Sequence, residues 1–330
     1  MKIKNKIIAL MISLIAIPSF AFAQKGKIGV RYWHSEGETE WSHCASTACG
    51  GGASNYASPY AGYGDPTSKL NYSGTNAGIG EIFGTYTIDK ILLMGKYGNE
   101  IAKNDGGKFR DQDWLRNSSN GNSYIFSDTL SNIRNTKVNY YTADLGMMVD
   151  EKTTGMKIAP FLGYMRYKEK LNAYGLLYQT PELTAEGVPA PGTQYYSDST
   201  LVIQNDITWT GFRIGADVDY PLSKEFNFNL NVAYVFGLDA DNKDSHVKRD
   251  DLGPTPNIKN VGNGDYGYMI DILGQYNYST QLKFDLGYRW WVFDTDSGNT
   301  KFGPNFTTAY PNRSLKSERS GLLIGANYIF

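Results

Sequence analysis

The stretch that decides the fold is LLIGANYIF, the last nine residues of the chain, 322–330. Its even-numbered residues are apolar, and the small or polar Gly325 and Asn327 lie between them. Successive side chains of a β-strand point to opposite faces, so this segment has one apolar face and one polar face. A strand of this kind that ends on an aromatic residue is typical of a bacterial outer-membrane β-barrel. The sequence therefore predicts an all-β protein, a transmembrane antiparallel β-barrel.

The N-terminus has the pattern of a secretory signal peptide. Lysines at positions 2, 4 and 6 precede an apolar run at 7–17, and Ala21-Phe22-Ala23 is a small-residue cleavage site. A retained membrane anchor is disfavoured, because a spanning helix needs ~20 apolar residues. We predict that residues 1–23 are a signal peptide and that residues 24–330 form one barrel domain in the outer membrane of a Gram-negative bacterium.

Composition agrees with this fold class. The chain has 330 residues, a net charge of −1, a mean hydropathy of −0.41, 25 Tyr and 36 Gly. A balanced or mildly acidic chain gives no electrostatic reason to expect a nucleic-acid partner. A polar average combined with abundant Tyr and Gly fits a barrel with aromatic girdles and a polar interior.

Alternating segments recur along the chain and predict hairpins. Residues 209–220 and 226–237 form the clearest pair, and 266–278 with 282–292 form another. Short turns are predicted at 88–90, 150–156, 221–225 and 278–281. Long polar connections are predicted at 37–67, 102–135, 170–200, 239–264 and 294–316. This alternation gives ten strands with periplasmic turns and long extracellular loops, although eight or twelve strands also fit because residues 68–100 are weakly patterned.

A barrel of about ten strands is narrow, and side chains should fill its interior. Charged residues at predicted inward positions are expected to pair across it as a rigid network, with a conducting lumen as the less favoured alternative. These residues are Arg213, Asp217, Asp219, Asp271, Lys283, Asp285 and Arg289.

Cys44 and Cys49 are the two cysteines of the chain. In an oxidising compartment, such a near pair predicts a disulfide that closes one loop. Their spacing from His34 and His43 matches no zinc pattern, so we expect no metal site.

Two short motifs have the residue types that hydrolysis requires. In Asp111-Gln112-Asp113-Trp114, the carboxylates at i and i+2 project to one side of an extended strand, where close carboxylates share a proton and polarise water. In Asp244-Ser245-His246, the carboxylate orients the imidazole as a general base. If the pairs face each other across the barrel mouth, a water between them would attack a peptide carbonyl without a covalent intermediate.

These motifs resemble those of the omptins, a family of outer-membrane aspartyl-type endoproteases. The family pattern is D-x-D-W in one long loop region and D-x-H in another, which Asp111, Asp113 and Trp114, and then Asp244 and His246, match. The resemblance implies a ten-stranded barrel with the two pairs as catalytic residues at its extracellular rim. It also implies a peptide or protein substrate, no cofactor, contacts with outer-membrane lipid, and lipopolysaccharide as an activator. We expect a monomer.

The resemblance also bears on substrate recognition. Omptins that cut at basic residues use acidic groups in the pocket for the residue before the scissile bond, and one such position corresponds to Asn242 here. Glu40 and Asp128 are candidates for other pocket acids. Losing one buried acid should weaken selection for Arg or Lys, because a desolvated cation needs a partner. The segment 41–66, with its cysteines and glycines, has no counterpart in the family and would cover the site.

The enzyme interpretation requires a change of strand parity. Even-numbered residues of 226–238 are expected to face lipid, yet Asp244 and His246 are also even. They face inward only if a bulge or a strong twist intervenes near 238–243. The alternative is a non-enzymatic barrel of omptin-like ancestry that acts as a porin, an adhesin or a structural protein.

Overall fold

The computed structural model describes residues 25–50, 60–103, 106–117, 119–151, 153–179, 181–182 and 188–330. The predicted signal peptide, residues 1–23, lies outside this part of the chain. The strands are β1 (Lys25–His43), β2 (Tyr60–Ile88), β3 (Ile91–Lys103), β4 (Lys108–Asn117), β5 (Ser123–Met147), β6 (Val149–Asp150), β7 (Lys157–Tyr178), β8 (Gln194–Pro221), β9 (Phe226–His246), β10 (Ile258–Asn263), β11 (Tyr266–Asn277), β12 (Leu282–Thr295), β13 (Asn299–Phe302) and β14 (Thr308–Ile329). Two 3-10 turns, Thr47–Cys49 and Asp250–Leu252, accompany them. No helix within the described ranges is long and apolar enough to cross a membrane.

The strands form a closed antiparallel ring with ten positions. β1 pairs with β2 on one side and with β14 on the other, which closes the ring. Three positions are each occupied by two consecutive strands, namely β3 with β4, β10 with β11, and β12 with β13. The short β6 extends the β5–β7 hairpin. The predicted ten-stranded barrel is therefore confirmed, and the alternatives of eight and twelve strands are excluded.

The membrane-facing part of the barrel lies next to the short turns. Gly26 N–H donates to the Phe330 carbonyl at 2.9 Å, so both ends of the described chain lie at this end. Outward side chains such as Phe212, Ile214, Leu322 and Ile324 are each more than half exposed, which confirms the predicted lipid faces. Farther along the strands, outward positions become charged. The barrel wall thus continues well beyond the membrane, with strand in much of the regions predicted to be long loops.

Bulges interrupt the ladder where the wall leaves the apolar band. The β1–β2 register shifts between Gly37 and Thr39, and the β5–β7 register shifts between Arg134 and Lys137. The β8–β9 register shifts between Thr210 and Phe212. An extra residue on one strand exchanges its inward and outward faces from that point onward. The bulges therefore decide which residues of the outer half face the interior.

The interior of the membrane part is filled by an ion network. Arg289 contacts Asp271 and Glu81, each at 2.7 Å, and Arg31 contacts Asp285 at 2.9 Å. These side chains are almost completely buried, which confirms the predicted network for Asp271, Asp285 and Arg289. Arg213 lies 3.3 Å from Asp144. The predicted partners Asp217 and Asp219 are instead held by amides: Asn229 and Asn231 donate to Asp217, and Asn227 donates to Asp219.

Candidate active site at the extracellular rim

Asp244 and His246 reach the interior because of a bulge in β9. Asn229 and Asn231 face inward in the lower half of this strand, whereas Asn242 and Asp244 do so in the upper half. Phe212 of β8 pairs with Phe236 of β9, and Thr210 pairs with Asp239. Two steps along β8 therefore correspond to three along β9, so β9 has one extra residue there. Gly237 lies within it with φ +56°, a conformation that favours glycine. The required bulge is present, and it begins one residue before the predicted segment 238–243.

The Asp244 carboxylate is fixed by contacts from two other strands and from its own. Its side chain is fully buried, and its Oδ2 accepts hydrogen bonds from Trp41 Nε1 at 3.3 Å and from the Tyr72 hydroxyl at 3.1 Å. Its Oδ1 lies 3.3 Å from His246 Nε2. The backbone N–H of His246 donates to Asn257 Oδ1 at 2.9 Å. Asp244 is therefore held rigidly beside the imidazole, as an orienting carboxylate requires.

Asp111 and Asp113 lie on β4, between β2 and β5. Asp111 pairs with Leu70 and Thr129, and Asp113 pairs with Ser68 and Ser127. Phe109 and Leu115, which share their parity, are buried, whereas the intervening Arg110 is exposed. The two carboxylates therefore lie on the inner face of the rim. They are on strands rather than in loops, which fixes their direction.

The two pairs meet across the barrel mouth. The Tyr72 ring packs against Phe109 with ring centroids 4.5 Å apart, and its hydroxyl reaches Asp244. Phe109 is two residues from Asp111 on the same face of β4. The Asp244 carboxylate is also close enough to contribute to the raised pKa of Asp111. Tyr72 and the charge of Asp244 thus link β9 to Asp111 on β4, two strands that are far apart in sequence.

The protonation states at the rim differ from those of exposed groups. Burial, together with the neighbouring carboxylates, raises the pKa of Asp111 well above its usual range, and burial raises that of Asp113 to about 6. Burial likewise raises the pKa of Asp244 to about 7 and lowers that of His246 to about 4. The raised pKa of Asp111 favours its protonated form, whereas at pH 7 Asp113 is mostly ionised and His246 is a free base. This combination suits activation and positioning of a water.

The predicted pocket acids do not lie together. Glu40 is on the outer wall, where it contacts Lys69 at 2.7 Å, because odd-numbered residues of β1 face the interior. Asp128 pairs with Gln112 and contacts Arg110 at 2.6 Å on the face opposite Asp111. The assignments of Glu40 and Asp128 to the pocket are therefore corrected. Asn242 does face inward, and it donates to Asn260 Oδ1 at 2.8 Å.

Sequence reasoning missed several residues that support the site. Trp41 and Tyr72 bind Asp244, and a hydrogen bond from Ser68 lowers the pKa of Asp113. Arg249 lies close enough to Asp111 and Asp113 to lower the pKa of both. The alternation of Trp41 with Glu36, Glu38 and Glu40 could have identified Trp41 as inward-facing. No comparable pattern identifies Arg249, which follows the end of β9.

The cysteine loop lies at the same rim. Cys44 and Cys49 are joined by a disulfide. The Cys44 N–H donates to the Pro311 carbonyl at 3.0 Å, and the Ala45 N–H donates to Thr67 Oγ1 at 2.7 Å. These contacts attach the loop to β14 and β2. Residues 51–59 of the segment predicted to cover the site lie outside the described part of the chain.

One solved structure has a similar fold over the whole barrel. The outer membrane protease OmpT from Escherichia coli aligns with a TM-score of 0.69 at 16% identity, over 96% of this chain and 99% of that one. The transport unit of the autotransporter AIDA-I, also from Escherichia coli, aligns over 98% and 96% at 11% identity, but its TM-score of 0.33 carries no structural argument. No curated protein matches the chain.

A family profile described as "Pom: Protochlamydia outer membrane protein" matches residues 83–320. This range covers most of the barrel, including all four rim residues. The fold of the chain agrees with that location, because an apolar band surrounds a closed ring of strands. The chain therefore belongs to the Pom family and is a β-barrel of the bacterial outer membrane.

Proposed function

We propose that this protein is an outer-membrane endopeptidase with omptin-type chemistry. One observation carries the proposal: Asp111, Asp113, Asp244 and His246 face the same space at the extracellular rim, although β4 and β9 lie far apart in the ring. The match of the D-x-D-W and D-x-H motifs to that family supports it further. At 16% identity, the likeness to OmpT itself supports the fold alone.

The chemistry follows from the protonation states. His246, neutral at pH 7, takes a proton from water, and the resulting hydroxide attacks the peptide carbonyl carbon. Asp244 stabilises the imidazolium. Asp113 helps to position the water, and the protonated Asp111 donates a hydrogen bond to the carbonyl oxygen as negative charge develops there. His246 then gives its proton to the leaving nitrogen as the C–N bond breaks.

The rival interpretation is a barrel without enzymatic activity. A conducting role has little support, because buried side chains such as Trp33, Arg213, Trp291 and Arg289 fill the interior. A structural or adhesive role does not require the shifted pKa values of the rim carboxylates and of His246. The two interpretations therefore differ in whether the rim carboxylates and His246 are needed for any measurable reaction.

The test is cleavage of a mixed peptide library by protein refolded in detergent with added lipopolysaccharide. His246→Ala and Asp111→Ala should both abolish cleavage. Asp241→Asn is the matched control, because Asp241 lies on the same strand but is exposed on the outer wall. Cleavage that survives both rim substitutions, or no cleavage by the wild type, would exclude this endopeptidase.

We also propose lipopolysaccharide as a partner. Basic residues lie together on the outer wall of β5 and β7: Lys137 pairs with Lys170, Asn139 with Lys168, and Tyr141 with Arg166. This cluster lies just outside the aromatic Tyr141 and Tyr164, at the level where lipid phosphates are expected. Lys137→Ala combined with Arg166→Ala should reduce the activation by lipopolysaccharide, while Lys259→Ala, elsewhere on the rim, should not.

A further inference from the structure

An arc of aromatic side chains connects the two catalytic pairs. From β9 to β4, the ring passes through β10, β13, β14, β1 and β2. The side chains of this arc are Phe302 on β13, Tyr310 on β14, Trp41 and His43 on β1, and Tyr72 on β2. We call this set the aromatic arc.

The members of the aromatic arc contact one another and the site. Trp41 donates to Asp244 and stacks with His43, with ring centroids 6.0 Å apart. His43 contacts Phe302 at 5.1 Å and Tyr310 at 5.9 Å between centroids. Phe302 and Tyr310 are only partly buried, so they present ring surface at the mouth. The arc is thus a set of packed rings that begins with buried Trp41 at the catalytic carboxylate and ends at the partly exposed Phe302 and Tyr310.

Three features make this place unfavourable for a cationic side chain. The predicted pocket acids Glu40 and Asp128 lie on the outer wall and are already paired with Lys69 and Arg110. Arg249 adds positive charge beside Asp111 and Asp113. His43 is buried, its Nδ1 has no hydrogen-bond partner in the described part of the chain, and burial lowers its pKa to about 4. The arc is therefore neutral at physiological pH.

We propose that the aromatic arc is the specificity subsite of the endopeptidase and that it binds an aromatic or large apolar side chain next to the scissile bond. This proposal rests on the proposed function. Aromatic rings pack edge-to-face or offset against one another at the centroid distances seen here. A Lys or Arg side chain would lose its hydration among the rings of Phe302, Tyr310 and His43, none of which carries a negative charge.

The test compares four fluorogenic peptides that differ only at the residue next to the scissile bond, which is Phe, Leu, Ala or Arg. The wild type should cleave the Phe and Leu peptides with a kcat/KM at least tenfold above those of the Ala and Arg peptides. Phe302→Ala with Tyr310→Ala should lower the preference for Phe over Ala about tenfold and leave cleavage of the Ala peptide within about threefold. Glu40→Gln, on the outer wall, should change neither value.

The outcomes separate the two proposals. Preferred cleavage of the Arg peptide that His246→Ala abolishes would overturn the subsite and retain the endopeptidase. An unchanged Phe preference in the double variant would also overturn the subsite. No cleavage of any peptide would overturn both. Heat-dependent mobility in gels verifies that each variant is a folded barrel before its rates are compared.

Discussion

The membrane interior and the extracellular rim treat buried charge in opposite ways. In the membrane part, Arg289 lies between Asp271 and Glu81, and each carboxylate has a cation within 3 Å. At the rim, Asp111 and Asp113 have no cation within ion-pair distance in the described ranges, and Asp244 has only a neutral histidine. Asp244 is as fully buried as Arg289, so burial alone does not distinguish the two regions.

The difference shows which buried charges serve the fold and which serve chemistry. Paired charges keep their ordinary ionisation and hold strands together. Carboxylates that are desolvated without a cation carry raised pKa values, which costs stability at neutral pH and is characteristic of functional sites. The comparison predicts that substitutions in the first region affect folding, while those in the second affect activity.

The largest effect should come from breaking the inner network. Arg289→Met leaves Asp271 and Glu81 buried and partly uncompensated, which should lower the free energy of unfolding by about 3–5 kcal/mol. Denaturant titration of refolded protein measures this loss, and the yield of folded barrel gives a second readout. Lys168→Met breaks a partly exposed outer-wall pair with Asp206 and should cost no more than about 1 kcal/mol. Equal losses in the two variants would contradict the comparison.

Asp244→Asn should lower activity and preserve stability, the opposite of what is expected for Arg289→Met. The amide keeps the shape of the side chain but cannot stabilise the imidazolium of His246, so kcat/KM should fall about 10²-fold or more. Stability should be kept or increased near pH 7, because a buried carboxylate has been replaced by a neutral group. Peptide cleavage and denaturant titration are measured on the same preparation, with Asp241→Asn as the control. A variant that is strongly destabilised would assign Asp244 to the fold instead.

The pH profile gives a sharper comparison, because activity and stability should change in opposite directions. Activity should rise as Asp113 loses its proton near pH 6 and Asp244 near pH 7, by up to about tenfold per pH unit on the rising limb. Because the pKa values of Asp113 and Asp244 are higher in the folded protein than in the unfolded chain, protonation of these acids favours the folded state. The stability they contribute is therefore present below the ordinary carboxyl pKa of ~4 and is lost as pH rises through 6 to 7.

The measurement is kcat/KM from pH 5 to 8, together with unfolding at the same pH values. The difference in unfolding free energy between the wild type and Asp244→Asn isolates the contribution of Asp244. Relative to that variant, the wild type should lose stability between pH 5 and 8 while gaining activity. A flat activity profile over this range would be inconsistent with a carboxylate dyad and an ionised Asp244.

The alternation of the membrane strands was predictable because one face of each strand meets lipid and the other meets the polar interior. The site motifs were recognisable because they are local, with spacings of two residues. In the upper halves of the strands, the face that points inward is not determined by the local sequence. In β9 the bulge turns Asp244 inward, while in β5 an equivalent shift near Asn135 turns Asp128 outward. Bulges depend on pairing between strands, so the sequence pattern alone does not show which face either residue occupies.

The smallest predicted effect tests the bulge at the boundary between the two regions. Gly237→Ala meets no steric obstacle, since the nearest atom to an added Cβ is 3.8 Å away, in Phe212. Its φ of +56° nevertheless disfavours alanine by about 1–2 kcal/mol. Denaturant titration should detect this loss, and kcat/KM should stay within about threefold if the bulge persists.

Gly95→Ala is the control for this substitution. Gly95 faces outward on β3 without a positive φ, and an added Cβ would lie at an ordinary contact distance of 3.7 Å. Its stability should therefore change little or increase. If Gly237→Ala were as stable as this control, β9 would not need the left-handed residue. If it lost activity while remaining folded, the bulge would have moved, and Asp244 and His246 would have turned away from Asp111. Either result would test directly whether one backbone irregularity separates the structural half of the barrel from its candidate catalytic half.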